Sequence, residues 1–139
     1  MRVSNEIIGA VGFSSMTIRP GDTNIALGLG DLPIAAASLF TNIAESAALT
    51  AINEFLDAGE TTRLTSFSLE SCEAVAVGSV IRATARCVKM EGRALIFECE
   101  FHEGEREVGK AEMERAVVER VSFLARTAAQ SIIGQQSHQ

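Results

Sequence analysis

PIAAASLFTNIAESAALTAINEFLDAG, residues 33–59, decides the fold. Ala, Ile, Leu and Phe fill most of its positions, and alanines at 35–37, 44, 47, 48 and 51 keep it slim. A helix apolar on nearly all sides belongs inside a protein, because a surface helix carries a polar face. Ser38, Thr41, Asn42 and Glu45 interrupt the pattern at spacings of three, four and seven, which gathers them along one side. Glu45 is therefore expected as a carboxylate on a mostly dry helix. The helix start is open between Pro33 in a first turn and Ser38 as the N-cap. Gly59, after Leu56-Asp57-Ala58, suits a left-handed residue just past the helix end.

Outward from this stretch the period changes from 3.6 to 2. In 61–73, Phe67, Leu69 and Ser71 share one parity and Ser66, Ser68 and Glu70 the other, until Gly78 breaks the run. In 80–89, Arg82, Thr84 and Arg86 alternate with Ile81, Ala83, Ala85 and Cys87; in 94–102, Glu98, Glu100 and His102 alternate with Phe97, Cys99 and Phe101. Glu91-Gly92 marks a tight hairpin between them. Setting Arg86 opposite Glu98 also sets Thr84 against Glu100, Arg82 against His102, Cys87 against Phe97 and Ala83 against Phe101. A slip of one residue would oppose charges to phenylalanines, so this register is favoured.

A second turn falls at Glu103-Gly104-Glu105, and 106–121 returns as a long strand. In it Arg115 shares the apolar parity of Ala111, Met113 and Val117, unless a bulge flips it outward. A short helix is expected from Ser122 to about Ile133. Upstream, 1–12 reads as a loose lead-in, 13–20 as a short strand ended by Pro20-Gly21-Asp22, and 21–32 as a compact loop. The tail 134–139 is polar and expected to fray.

At 139 residues, with 47% apolar and 22% charged residues, the chain fits one domain, 1–139, with a core of its own. A net charge of −6, without Trp or Tyr, argues against nucleic-acid binding. Two distant histidines and three scattered cysteines suggest no metal site, and Gly28 and Gly30 match no phosphate-binding loop. No apolar run reaches membrane-spanning length and the N-terminus lacks a secretory core, so a cytoplasmic location is expected. No cofactor is expected.

Strand, buried helix, then four antiparallel strands give an α+β layer arrangement in which one antiparallel sheet wraps one long central helix, the hot-dog fold. Here the chain resembles the fluoroacetyl-CoA thioesterase branch of the hot-dog thioesterases over roughly residues 14–126. The likeness rests on GLGDLPIAAAS leading into the helix of Glu45, and on KMEGRALIFECEFHEGEREVGKAEMERAVVERVSFLAR. It implies a homodimer, with tetramers open, whose acyl-CoA site lies at the subunit interface; coenzyme A would enter only as part of the substrate. It also implies a catalytic Thr at the helix start, a Glu eight residues on and a His on the second strand. In this chain Ala37 stands at the Thr position with Ser38 beside it, Ser71 at the His position, and Leu64 where the family has Gly. Only Glu45 matches.

The resulting site set takes Glu45 as base or nucleophile, with Ser38 and Ser71 as lesser catalytic candidates. Ala37, Leu39, Thr41, Asn42, Leu64, Thr65 and Arg115 are expected to line the substrate pocket. Amides near Ala37–Leu39 can serve as oxyanion donors, since a helix start leaves N–H groups unpaired. Ser38 as a simple N-cap is the plainer reading of that residue. Arg115 fits either a carboxylate partner or a CoA phosphate. Two functions follow: an acyl-CoA thioester hydrolase for small or medium acyl groups, or a catalytically silent hot-dog dimer that binds an acyl-CoA or another small ligand. A hydratase would need a well-placed His with an acidic partner, and neither His102 nor His138 supplies one.

Overall fold

A computed structural model describes residues 6–137. The elements are β1 (Val11–Thr17), α1 (Asn24–Leu27), α2 (Ser38–Ile52), β2 (Glu60–Glu70), β3 (Val80–Glu91), β4 (Ala94–Glu103), β5 (Arg106–Glu119) and α3 (Arg120–Ser137). The strands form one antiparallel sheet in the order β1-β3-β4-β5-β2. This is the hot-dog arrangement, with α2 on the concave face.

The hairpin register is the one the charges dictate. Arg86 lies opposite Glu98, Thr84 opposite Glu100, Arg82 opposite His102, Cys87 opposite Phe97 and Ala83 opposite Phe101. Arg86 Nη2 approaches Glu98 Oε2 to 3.1 Å on the wet face. The dry face closes on α2: Phe101 meets Phe40 edge to face, ring centres 4.9 Å apart. Both rings are fully buried. Arg115 faces this interior, with Met113 and Val117 beside it, so no bulge turns it outward.

The central helix is shorter than its composition suggests. It runs from Ser38 to Ile52, passes into a 3₁₀ turn at Asn53–Phe55, and ends well before Gly59. Gly59 keeps the expected positive φ of 86°, but it turns the chain into β2 rather than ending α2. Ala37 holds the N-cap position without a side-chain cap, so Ser38 is the first helical residue and not the cap. Nor is α2 buried all round. Ser38, Asn42, Ser46 and Thr50 are exposed along one stripe, because a single sheet covers only one side of it.

Elsewhere the lead-in is less loose than its sequence reads. Ile7 is fully buried and the Gly9 amide donates to Cys87 O. The loop 21–32 contains α1, a single turn whose N-cap Thr23 accepts from the Ala26 amide and whose end is Gly28 in left-handed conformation. The tail expected to fray stays helical through Ser137, and 138–139 lie outside the described residues, as do 1–5 of the lead-in.

β2 carries a bulge between Leu64 and Ser66, at Thr65. Thr62 and Leu64 face inward on one side of it, Phe67 and Leu69 on the other, although the two pairs differ in parity. Where β1 crosses α2 the approach is closer still. Gly12 lies so near the helix backbone that a Cβ there would sit 2.6 Å from the Ala51 amide nitrogen and overlap Ala47 O and Thr50 Oγ1. Alanines 44, 47, 48 and 51 are buried along this side of the helix, where larger side chains would hold the two backbones apart.

Backbone atoms cannot yield as a flexible side chain does. Gly12→Ala should therefore cost about 3 kcal/mol, at the severe end of overpacking, read as a clear drop in the urea midpoint at unchanged m. At the other end, Glu119 caps α3: its carboxylate accepts from the Ser122 amide at 2.7 Å and the Val121 amide at 3.2 Å. The Ser122 backbone, then its hydroxyl and the Val121 amide, hold this carboxyl below the usual range. A depressed folded value means the cap is present above the ordinary Glu pKa of about 4.3 and is lost as pH falls through the lowered value. The Ser122 amide resonance should thus titrate with a midpoint below about 4.3, and E119Q should abolish that titration.

Candidate functional site

Arg115 on β5 is the deepest charge among the described residues, 3% exposed. Burying a guanidinium demands partners for its donors. Nε donates to Thr62 Oγ1 at 2.9 Å, Nη2 to Thr62 O at 3.1 Å, and Nη1 to Glu45 Oε1 at 2.7 Å. β2 and β5 run antiparallel with Thr62 opposite Val117 and Leu64 opposite Arg115, which brings the Thr62 side chain alongside the guanidinium. Glu45 reaches it from α2, one turn beyond Thr41. Glu45, expected from the sequence as a carboxylate on a mostly dry helix, is thus ion-paired, and its side chain is 32% exposed. Oε1 is engaged, and Oε2 has no partner among the described residues.

The start of α2 lies two turns upstream on the same helix. There the Leu39 amide is already spent on Ala36 O and the Phe40 amide on Ala37 O. The Ala37 and Ser38 amides have no partner among the described residues, and both residues are exposed. The candidate oxyanion donors narrow to these two.

The remaining expected site residues scatter. Leu39 is a core residue at 6% exposure. Thr41 is half-buried and Asn42 exposed on the stripe leading to Glu45. Leu64 is half-buried opposite Arg115. Thr65, at the bulge, points to the outer face and donates to Glu114 Oε2 at 2.7 Å, away from Glu45. Ser71 is not in a strand. It follows the end of β2, exposed, with a φ of 55° rare for a side-chain-bearing residue. No contact among the described residues joins Ser38 or Ser71 to Glu45. Each of the three guanidinium nitrogens of Arg115 donates within the protein.

Thr62 is the residue that sequence reasoning missed. The available signal was an inward Arg on β5, which calls for a polar neighbour on the strand beside it.

Among the described residues nothing else substitutes for the missing groups. His102 sits on the outer face opposite Arg82, beside a groove of about 360 Å³ formed with Phe13 and Thr84. His138 lies outside the described residues. Cys87 and Cys99 are buried, and burial pushes the Cys99 thiol up to about 12, far from a reactive thiolate. Among the described residues no three His, Cys, Asp or Glu side chains are placed to hold a metal. No helix among them is long and apolar enough to cross a membrane.

Comparison with known proteins bears on the fold and the family. No curated protein sequence matches the chain. Among solved structures it is similar to the fluoroacetyl-CoA thioesterase FlK, with 24% identity, a TM-score of 0.80, and 88% of this chain and 95% of that one covered. A FlK variant in complex with acetyl-CoA aligns at 23% identity and a TM-score of 0.78, covering 88% of this chain and 97% of that one. A thioesterase-superfamily protein of Thermus thermophilus aligns at 18% identity and a TM-score of 0.83, covering 93% and 96%. The sequence profile of the fluoroacetyl-CoA-specific thioesterases (FlK) matches residues 18–121, three-quarters of the length, and the chain belongs to that family.

Proposed function

We propose that this protein hydrolyses an acyl-CoA thioester with a small or medium acyl group, using Glu45, at a site completed by a second copy of the chain. The observation that carries the proposal is a carboxylate held by Arg115 on one oxygen and open on the other, on the central helix of a chain from this family. Arg115 is a positioning residue: it fixes Oε1 and leaves Oε2 to act.

In the reaction, Oε2 takes a proton from a water that attacks the thioester carbonyl. Charge developing on the carbonyl oxygen meets the Ala37 and Ser38 amides at the positive end of α2. The C–S bond breaks and CoA leaves as a thiolate. A thiol pKa near 8.5 lets it depart without a general acid, which suits a chain lacking a histidine at this point. The alternative is direct attack by Oε2, with an acyl-Glu45 anhydride that water then cleaves. The same stripe of α2 that bears Glu45 is exposed in the single chain, and a partner subunit would cover it and exclude water. Three free thiols fit a reducing, cytoplasmic setting.

Ala37 in place of the family's Thr and the exposed Ser71 in place of its His favour a second reading, in which the dimer binds an acyl-CoA without turning it over.

Release of free CoA from acetyl-, butyryl- and hexanoyl-CoA separates the two. Wild type should release CoA, and Glu45→Ala should lose about a hundredfold, the usual contribution of a positioned base. Equal rates would remove Glu45 from the chemistry, and calorimetric binding with no turnover in either protein would establish the silent binder. Arg115→Ala should lower stability by about 3 kcal/mol, because it strands Glu45 and Thr62 O. Arg115→Lys should recover part of that stability, with kcat reduced more than KM is raised.

A further inference from the structure

Among the described residues, the cations of β2 to β5 and their turns all have an oxygen partner except one. Arg86, Lys89, Arg93, Arg106, Lys110 and Arg115 each meet a glutamate, and Arg82 donates to Gly104 O. Arg63, exposed on the outer face of β2, makes no hydrogen bond and no ion pair. Its guanidinium lies over the Phe123 ring instead, 5.3 Å from the ring centre. Such a contact holds a guanidinium by its face and leaves its N–H edge free. Arg126 follows Phe123 by three residues, on the same side of α3. It too is exposed, with no hydrogen bond or ion pair among the described residues. The two arginines line one groove of about 260 Å³ between α3 and the sheet, together with Ala116, Val118 and Gln130.

No acid lines this groove. Glu114 and Glu119, on the adjoining part of β5, are engaged elsewhere, the first by Thr65 and the second as the cap of α3. In a chain of net charge −6, two cations thus share a concavity with no counter-charge among the described residues. Like charges so placed repel each other, and their field converges on an anion that enters. The guanidinium fork matches phosphate oxygens in pairs, which makes a phosphoryl group the anion that answers both arginines. The groove is smaller than the roughly 300–1,000 Å³ of a small-molecule pocket, so it fits the phosphorylated end of a ligand and not the whole of one.

We propose that the Arg63–Arg126 groove is a phosphate subsite that takes the nucleotide end of coenzyme A. This rests on the reading of the chain as one that binds an acyl-CoA. Arg115, the sequence's candidate for a CoA phosphate, has each guanidinium nitrogen engaged by Glu45 or Thr62, so the phosphates must meet a cation elsewhere. Arg63 directly follows Thr62 on β2, and consecutive strand residues point to opposite faces of a sheet. β2 is also an edge strand. The groove therefore lies across the sheet edge from the Glu45 network. A thioester held at Glu45 would send its long, flexible arm around that edge and set its phosphates between the two arginines.

Calorimetric titration of the full chain with adenosine 3′,5′-bisphosphate, a fragment of CoA, tests the site. Wild type should bind the fragment saturably. R63Q/R126Q should weaken binding at least tenfold, the effect of losing a charged hydrogen bond. R126Q alone, which keeps the Arg63–Phe123 contact, should weaken it as well. R86Q/K89Q removes the same charge outside the groove and should bind within about twofold of wild type, since exposed charges at that distance are screened. Added CoA should displace the fragment. Absence of binding to wild type, or equal weakening in the two double variants, overturns the site. Fragment that binds through Arg63 and Arg126 but is not displaced by CoA overturns the assignment to CoA and gives the groove to a free phosphorylated compound. None of these readouts needs turnover, so equal hydrolysis by wild type and Glu45→Ala would remove the catalytic reading and leave this one standing.

Discussion

A guanidinium taken out of water needs a partner at each nitrogen, and in this protein that requirement ties three elements together. Arg115 draws Thr62 from β2 and Glu45 from α2 into one network, with distances of 2.7 to 3.1 Å. The pair is not a simple gain in stability, since desolvation offsets much of the attraction. It gives geometry instead. A carboxylate on a stripe that is otherwise polar and exposed would sample many rotamers; clamped on one oxygen, it presents the other in a fixed direction. The chemistry proposed for Glu45 depends on that restriction more than on any property of the carboxylate itself.

Much of the sheet was readable because its signals are local. Arg86 and Glu98 sit on strands joined by a tight turn, so charge alternation alone set their register, and the observed pairing agrees at all five positions compared. The inward direction of Arg115 was readable from parity, and an inward Arg implies an acid. Thr62 was not readable in the same way. It meets Arg115 across a separation of 53 residues, and the β2 register shifts at Thr65, so parity counted from Phe67 misplaces it.

The ends of α2 escaped for a different reason. Apolar composition marks a buried segment, but the switch from α to 3₁₀ geometry at Asn53 leaves no compositional trace. Ala37 at the N-cap is a residue of no capping value, so the start is set by the Thr23–Ala35 and Ile34–Ala76 bridges that hold the preceding chain. Those bridges join segments far apart in sequence. Four-residue α1 is too short for periodicity to register, and its Thr23 and Gly28 caps are visible only once the turn is known.

The bulge at Thr65 gives β2 a length that cannot change by one. Thr62 must point inward to accept from Arg115, and Phe67 and Leu69 must point inward to close the core, yet simple alternation allows only one of these. The extra residue reconciles them. Deleting it would force a choice between an orphaned cation and two aromatic or aliphatic side chains in water, so variation along this strand is confined to substitution, while the turns around it remain free to grow or shrink.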